Sequence, residues 1–390
     1  MTEADFPWIS VQTCEDRAQG ERCIPLEPES HEDPLLFDLH DPFGVRKAIV
    51  PLFWMKADGD LKGLATAFST DPWGGFLTAD HVIANKRALG RAVRDGPEGM
   101  DQKVVFPSDE GFVALLGFGV AFGTCPLPRE VIAPVVRAWS PALDSGDPLA
   151  ALQGRADYRP IDIAVLTTRR PAAGLVNCLP LRGTPRGPRP GDIVVAVGFP
   201  TIDTFTGDEE AARTTIEEGM QVAYGKVRQI LPQGRDRANR TPVFEVEANW
   251  PSGMSGAPVL DARGEVVGIV SRSYLPKEAD GIGTGWATWL EGLAAFHRWV
   301  PSLDPDNADR RQGWAALREQ PWHLAAVEPT KDEAALAAAA AGPGHEVRHG
   351  IWRLGTDDFM IEDGERPDLL KPGQSPSAAP GARSPSPLAR

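Results

Sequence analysis

Three residues far apart in the chain have the types needed to activate an alcohol. They are His81 in GGFLTADHVIAN, Asp162 in RPIDIAVLTT and Ser255 in NWPSGMSGAPVL. A serine hydroxyl is a weak nucleophile near neutral pH. It needs a base within hydrogen-bond reach, and the base needs a carboxylate to orient it. Seven histidines are available for the first role. His31 and His40 lie in an irregular N-terminal stretch, His297 in a stretch with helical spacing, and His323, His345 and His349 in a C-terminal region of different texture. His81 follows directly on a strand-like run ending at Thr78, a rigid mount for a base. Asp162 stands between Ile161 and Ile163 at the head of an apolar run, where an unpaired carboxylate is costly. Singly, each residue also has a plain structural reading: Ser255 as a turn former among glycines, Asp162 as a turn residue opening a strand, His81 as a packed histidine.

The elements that must hold these residues are mostly strands. From Val45 to about Val300 short runs such as KAIVPLFW, GLATAFS, DIVVAVGF and VFEVEA alternate with Gly, Pro and Asp turns. LDARGEVV predicts a hairpin turning at Ala262–Gly264. This texture favours a barrel or sandwich over alternating strands and helices. Two helices are expected in this region: HVIANKRALGRAV, with Asp80 as its N-cap, and WLEGLAAFHRWV. Between about Arg94 and Tyr158 the texture is mixed, and KVVFP and FVALLGFGVAFG look like extra strands. Residues 1–44 form an irregular acidic arm. After Pro301, DEAALAAAAA predicts a helix ended by Gly342–Pro343, and HEVRHGIWRL and DDFMIED can pair as a small hairpin. The Pro- and Ser-rich residues 372–390 are expected to be disordered.

Composition narrows the function classes. A net charge of −14, from 54 acidic and 40 basic residues, is a poor match to a polyanion, so no nucleic-acid partner is expected despite the basic RGTPRGPR. No apolar run reaches the roughly 18 residues of a membrane span, and the start lacks a basic-then-apolar leader. A cytoplasmic location with no membrane partner is the expectation. The four cysteines form no C-x-x-C pair, and Cys14, Cys23, His31 and His40 match no common zinc spacing. Free thiols in a reduced compartment are expected, with no metal and no cofactor.

The ordered motifs LTADHV, DIAVL and GMSGAP followed by GIVS resemble the trypsin-like serine peptidases of the chymotrypsin fold, whose triad runs His, Asp, Ser along the chain. The wording is most similar to bacterial Deg-type members. DIVVAVGFP, GKVRQI and GEVVGIV also fall where that group has strands. The resemblance implies a mostly β chain with two six-stranded antiparallel β-barrels, a C-terminal helix and extensions. It covers a protease domain over 45–300, which follows the N-terminal arm of 1–44. The first barrel would cover about 45–175 with an insertion at about 95–158, and the second about 185–300. An extension over 301–371 and the tail would follow, with no sign of the PDZ module that Deg-type members append.

Carried over by the same resemblance, Ser255 is the nucleophile, His81 the general base and then acid, and Asp162 the orienter. The amides of Gly253 and Ser255 form the oxyanion hole. Asn249 lies at the base of the primary pocket, Ser271, Arg272 and Ser273 form a substrate-pairing edge, and Gly283 and Gly285 the far wall. Met254 stands where digestive-type members carry an Asp that pairs with a new N-terminus, so that activation route is not expected. Control would fall to the insertion, the flanking segments or a regulatory protein partner. The implied function is a serine endopeptidase acting on protein or peptide substrates. The competing readings are a trypsin-fold scaffold with little turnover and an esterase using the same Ser255.

Overall fold

Runs such as KAIVPLFW and DIVVAVGF pair into two closed sheets in the computed structural model of the chain. The structure describes residues 10–12, 22–23, 36–39, 47–293 and 310–362, apart from 72, 94–100, 107–110, 117–130, 145–151, 153–157, 170, 172–175, 177, 180–186, 201, 205, 208–218, 237–238, 263, 275, 277–280 and 354–356. Three short strands come first: β1 (Ser10–Gln12), β2 (Arg22–Cys23) and β3 (Leu36–Leu39). The first barrel draws on β4 (Ile49–Met55), β5 (Leu61–Ser69), β6 (Gly75–Thr78), β7 (Arg91–Val93), β8 (Asp101–Val105), β9 (Gly111–Leu115), β10 (Ile132–Asp144), β11 (Tyr158–Pro160) and β12 (Ala164–Thr168). Its ring runs β12-β6-β5-β4-β9-β10, and β10 pairs back to β12. Closure removes the unpaired edges that an open sheet would leave. Phe53, Phe68, Phe76 and Leu166 fill this ring with no exposed surface. Each such side chain contributes about 1.5–3 kcal/mol of burial.

The second barrel uses β13 (Ile193–Gly198), β15 (Gln221–Leu231), β16 (Val243–Ala248), β17 (Pro258–Leu260), β18 (Val266–Tyr274) and β19 (Thr284–Trp289), with the two-residue β14 (Thr206–Gly207) reaching across to β5. The ring β13-β17-β18-β19-β16-β15 closes through six β13–β15 pairs. Val194, Phe244, Val246, Trp250 and Val259 lie in its core. The chain is therefore mostly β, with two closed six-stranded antiparallel barrels. The expected hairpin joins β17 and β18, with Gly264 at φ 77° in its turn.

Several sequence expectations change. The stretch read as an insertion supplies β9 and β10, two strands of the first ring. Among the described residues of that stretch, β8 and, at its end, β11 are peripheral and pair with the long β10, while β7, just before it, pairs with β8. Apolar alternation marked these runs as strands but carried no information on their partners. The N-terminal arm is not wholly irregular: β1 and β2 pair, β1 pairs β3, and β3 extends the second sheet along β15. The helix expected from His81 is short. It is α1 (Asp80–Ala84), with Ala79 rather than Asp80 as N-cap, then a 3-10 turn at Arg87–Leu89 and β7. Asp80 instead pairs with Arg87. Of the expected helix at 289–300, Trp289 ends β19 and 290–293 form a turn, while 294–300 lie outside the described residues. His31, His40, the Cys14 and Cys23 side chains and the tail 372–390 also lie outside what is described.

Beyond the barrels, β20 (Arg310–Arg318), β21 (His323–Glu328), β22 (Glu346–Arg353) and β23 (Phe359–Ile361) form a four-stranded sheet in the order β21-β20-β22-β23. The Ala-rich helix α2 (Lys331–Ala341) connects β21 and β22, and the expected hairpin is the β22–β23 pair. The Thr330 hydroxyl caps α2 by accepting from the Glu333 N–H. Among the described residues no helix is long and apolar enough to cross a membrane.

Candidate active site

Each of the three chemistry-bearing residues comes from a different element. His81 is the second residue of α1, three positions beyond the end of β6. Asp162 sits just before β12, the strand that pairs with β6, so Ala164 lies opposite Thr78. Ser255 lies in the loop before β17, on the second barrel. The fold brings all three into hydrogen-bond contact. His81 Nε2 is 3.0 Å from Ser255 Oγ, and His81 Nδ1 is 3.0 Å from both carboxylate oxygens of Asp162. An ionised carboxylate only accepts, so Nδ1 carries the proton and the Nε2 lone pair faces the serine hydroxyl. In that tautomer the imidazole can take the hydroxyl proton.

Asp162 is more heavily tied down than a turn residue needs to be. It accepts from the His81 N–H at 3.0 Å and from the hydroxyl of Ser271. Its own N–H donates to Thr241 Oγ1 at 3.0 Å, and its carbonyl accepts from Thr288 Oγ1 at 2.9 Å. Burial by itself pushes the carboxyl up. The attraction of His81, with the bonds from its ring, the Ser271 hydroxyl and the His81 N–H, outweighs that and holds the carboxyl below its usual range. The carboxylate therefore stays ionised and fixes the ring.

The serine loop is shaped by two glycines. Gly253 has φ 93° and Gly256 φ 83°, both in the region that L side chains rarely adopt. A Cβ on Gly256 would sit 2.1 Å from Thr78 Oγ1 and 2.2 Å from the Thr66 carbonyl oxygen. The loop thus lies flush against the first barrel. The amides of Met254, Gly256 and Ala257 are spent on Pro251, Val270 and Met254 carbonyls. Among the described residues the amides of Gly253 and Ser255 have no protein acceptor. Two free donors flanking one hydroxyl suit an oxygen that gains negative charge. Met254 has no exposed surface and packs in the second barrel's core, a place with no room for a charge pair.

The pocket residues divide. Asn249 Oδ1 accepts from the Gly283 N–H at 2.8 Å and its Nδ2 donates to the Gly281 carbonyl, so it staples two loops. A Cβ on Gly283 would meet the Tyr274 carbonyl at 2.5 Å, which explains glycine there. Gly285, expected in the far wall, gives space to the buried indole of Trp250. The Ser271 side chain bonds Asp162, at a bulge between Val270 and Arg272 in the ladder with β19. Ser273 Oγ donates to the Trp250 carbonyl at 2.6 Å and Arg272 is exposed. Beyond Val270 the strand β17 no longer covers β18, so one side of Ser271–Tyr274 is open among the described residues.

Sequence reasoning missed Thr66 and the side-chain role of Ser271. Thr66 is buried on β5, and its hydroxyl donates to the Gly253 carbonyl at 3.0 Å. Neither has a sequence signal beyond being a polar residue in an apolar strand. Cys178, the described free thiol, is no rival nucleophile: burial, with the nearby Asp71 charge, pushes it up to about 12. Among the described residues no group of three metal-binding side chains occurs.

A sequence model of the family described as trypsin-like peptidase domain matches residues 65–269. No curated protein sequence matches the chain. Among solved structures, the chain is similar to the active form of the Rv3671c protease from M. tuberculosis, with a TM-score of 0.36 and 15% identity over 65% of this chain and 81% of that one. It is similar to the HtrA-type protease AlgW with a decapeptide, at TM-score 0.37 and 16% identity over 65% of each chain. It is also similar to the serine endoprotease from Yersinia pestis, at TM-score 0.33 and 19% identity over 73% of this chain and 74% of that one.

Proposed function

The chain belongs to the trypsin-like peptidase family, and from that premise we propose that it is a serine endopeptidase working through Ser255, His81 and Asp162. The observation that carries the reading is the unbroken relay of 3.0 Å contacts from the Asp162 carboxylate through His81 to Ser255 Oγ. His81 takes the hydroxyl proton as Ser255 attacks a peptide carbonyl. The tetrahedral oxygen is held by the Gly253 and Ser255 amides, each worth about 3–4 kcal/mol of barrier. His81 then hands the proton to the leaving amine, and an ester links the substrate's acyl half to Ser255. Water, deprotonated by His81, releases it. Asp162 stays ionised throughout and steadies the imidazolium. The open side of β18 supports an extended polypeptide as substrate, since a strand can add to an unpaired edge.

A fluorophosphonate probe tests the reading. Labelling of the full chain that vanishes in Ser255→Ala and drops steeply in His81→Ala supports an activated serine. Absence of labelling favours the scaffold reading. Labelling with ester but no polypeptide cleavage favours an esterase.

A further inference from the structure

An arginine with no exposed surface, Arg311, lies at the join between the C-terminal sheet and the first barrel. It comes from β20, and its guanidinium donates to the Thr70 carbonyl from Nε at 3.3 Å and from Nη2 at 3.2 Å, and to the Leu179 carbonyl at 3.5 Å. Thr70 opens the connection between β5 and β6. Farther along that connection, the Trp73 indole N–H donates to the Val327 carbonyl on β21 at 2.8 Å. The Trp73 ring packs with Ala315, Leu317, Val327 and Phe359 of the C-terminal sheet. Asp71 ties the connection to itself, accepting from the Trp73 and Gly75 N–H groups at 2.8 and 3.0 Å. On the other side the Gly74 carbonyl accepts from the Thr168 N–H of β12 at 2.9 Å.

A buried, fully ionic side chain is an expensive way to join two sheets unless the join has a geometric purpose. The connection it grips is short and leads straight into β6, which ends at Thr78, three residues before His81. β6 has four residues: it meets β5 at two pairs, Phe68 with Leu77 and Ser69 with Phe76, and β12 at four, from Gly75 with Thr167 to Thr78 with Ala164. The β5–β6 connection sets where this short strand enters those ladders, and so bears on the height of α1 above Asp162.

We infer that the C-terminal sheet positions the base: Arg311 and Trp73 lock the β5–β6 connection, and that lock sets where the His81 ring stands between Asp162 and Ser255. The inference rests on the peptidase reading for its catalytic consequence. Arg311 and Trp73 are positioning residues, since neither touches the reacting atoms.

Two variants of the full chain test this. Arg311→Lys keeps a cation but loses the planar fork, and Trp73→Phe keeps an aromatic ring but loses the bond to Val327. Each should lower kcat about tenfold or more, because small misplacements of a base are costly. KM should stay within about twofold, and fluorophosphonate labelling should slow in parallel. The His81 ring NMR signals should shift in both. Wild-type kcat in well-folded Trp73→Phe, measured below its melting temperature, would overturn the inference whatever its effect on stability. Should Arg311→Lys fail to fold, Trp73→Phe decides. A wild-type chain that neither labels nor cleaves would sink the peptidase reading instead. In that case unchanged His81 signals in Trp73→Phe would overturn the positioning inference on its own.

Discussion

The hydroxyl of Thr66 donates to the carbonyl of Gly253 over 3.0 Å, joining residues 187 positions apart. The same oxygen accepts from the Phe199 N–H at 3.0 Å, and the Thr66 N–H donates to the Ser255 carbonyl at 3.0 Å. One buried residue of β5 thus holds the serine loop against the opposite barrel, and Gly253 supplies one of the proposed oxyanion donors. Thr66→Val preserves shape and strips both hydroxyl bonds. It should cost about 1–3 kcal/mol of stability, because a buried donor and acceptor are left unmade. It should also lower kcat more than it raises KM. Denaturant unfolding and steady-state kinetics check this, and a variant with wild-type kcat would detach Thr66 from the site.

Gly256→Ala asks a left-handed residue to carry a Cβ and drives that carbon into the Thr66 carbonyl and the Thr78 hydroxyl. The backbone oxygen cannot rotate away. A loss of about 3 kcal/mol or more is expected from strain and overpacking together. A melting curve matching the wild type would mean that the barrels do not meet as closely as described.

Asp162→Asn should leave the fold intact, since the amide is close in shape, yet cut kcat by about four orders of magnitude. The amide can donate to His81 Nδ1 and so turn the tautomer the wrong way. A parallel rise in KM alone, with kcat unchanged, would remove Asp162 from the orienting role.

Ser271→Ala tests the carboxylate's surroundings through pH. The folded chain holds Asp162 below its usual range, so it binds fewer protons there than the unfolded chain. The resulting stability is fully present above the unfolded value of about 3.9 and is lost as pH falls through the lower folded value. Removing the Ser271 hydroxyl raises the folded value toward the unfolded one. The variant should be weaker by about 1.5–3 kcal/mol near neutrality, the size of a charge-assisted hydrogen bond. That gap should narrow as the pH is lowered below about 4. Urea unfolding from pH 7 to 3 reads it, and a gap independent of pH would assign Ser271 a purely packing role.

Much of the site was legible in the sequence because its chemistry demands particular residue types in a particular chain order. His81, Asp162 and Ser255 stand out for that reason, and Gly253 and Gly256 because only glycine suits their backbone. Ser271 was visible as a residue but not in its role. Its side chain turns to Asp162 because β18 bulges at that point, and a bulge depends on the register with β19. The expected helix after His81 shrank to α1 because Arg87 is drawn inward to Asp80 and Ser140. Local propensity has no account of such a pull.

By itself the sequence determined the strand-rich texture, the order of the three chemistry-bearing residues and the glycine turn around the serine. All of these are written in neighbouring residues or in the types that a reaction requires. Tertiary structure alone decided that β9 and β10 belong to the first ring, that Thr66 clasps the serine loop, and that Arg311 is buried against the β5–β6 connection. In RRQGWAALR that arginine reads as a solvated charge. Its burial depends on carbonyls some 241 and 132 positions away, and periodicity along a strand reports which face a residue takes, not what waits across from it.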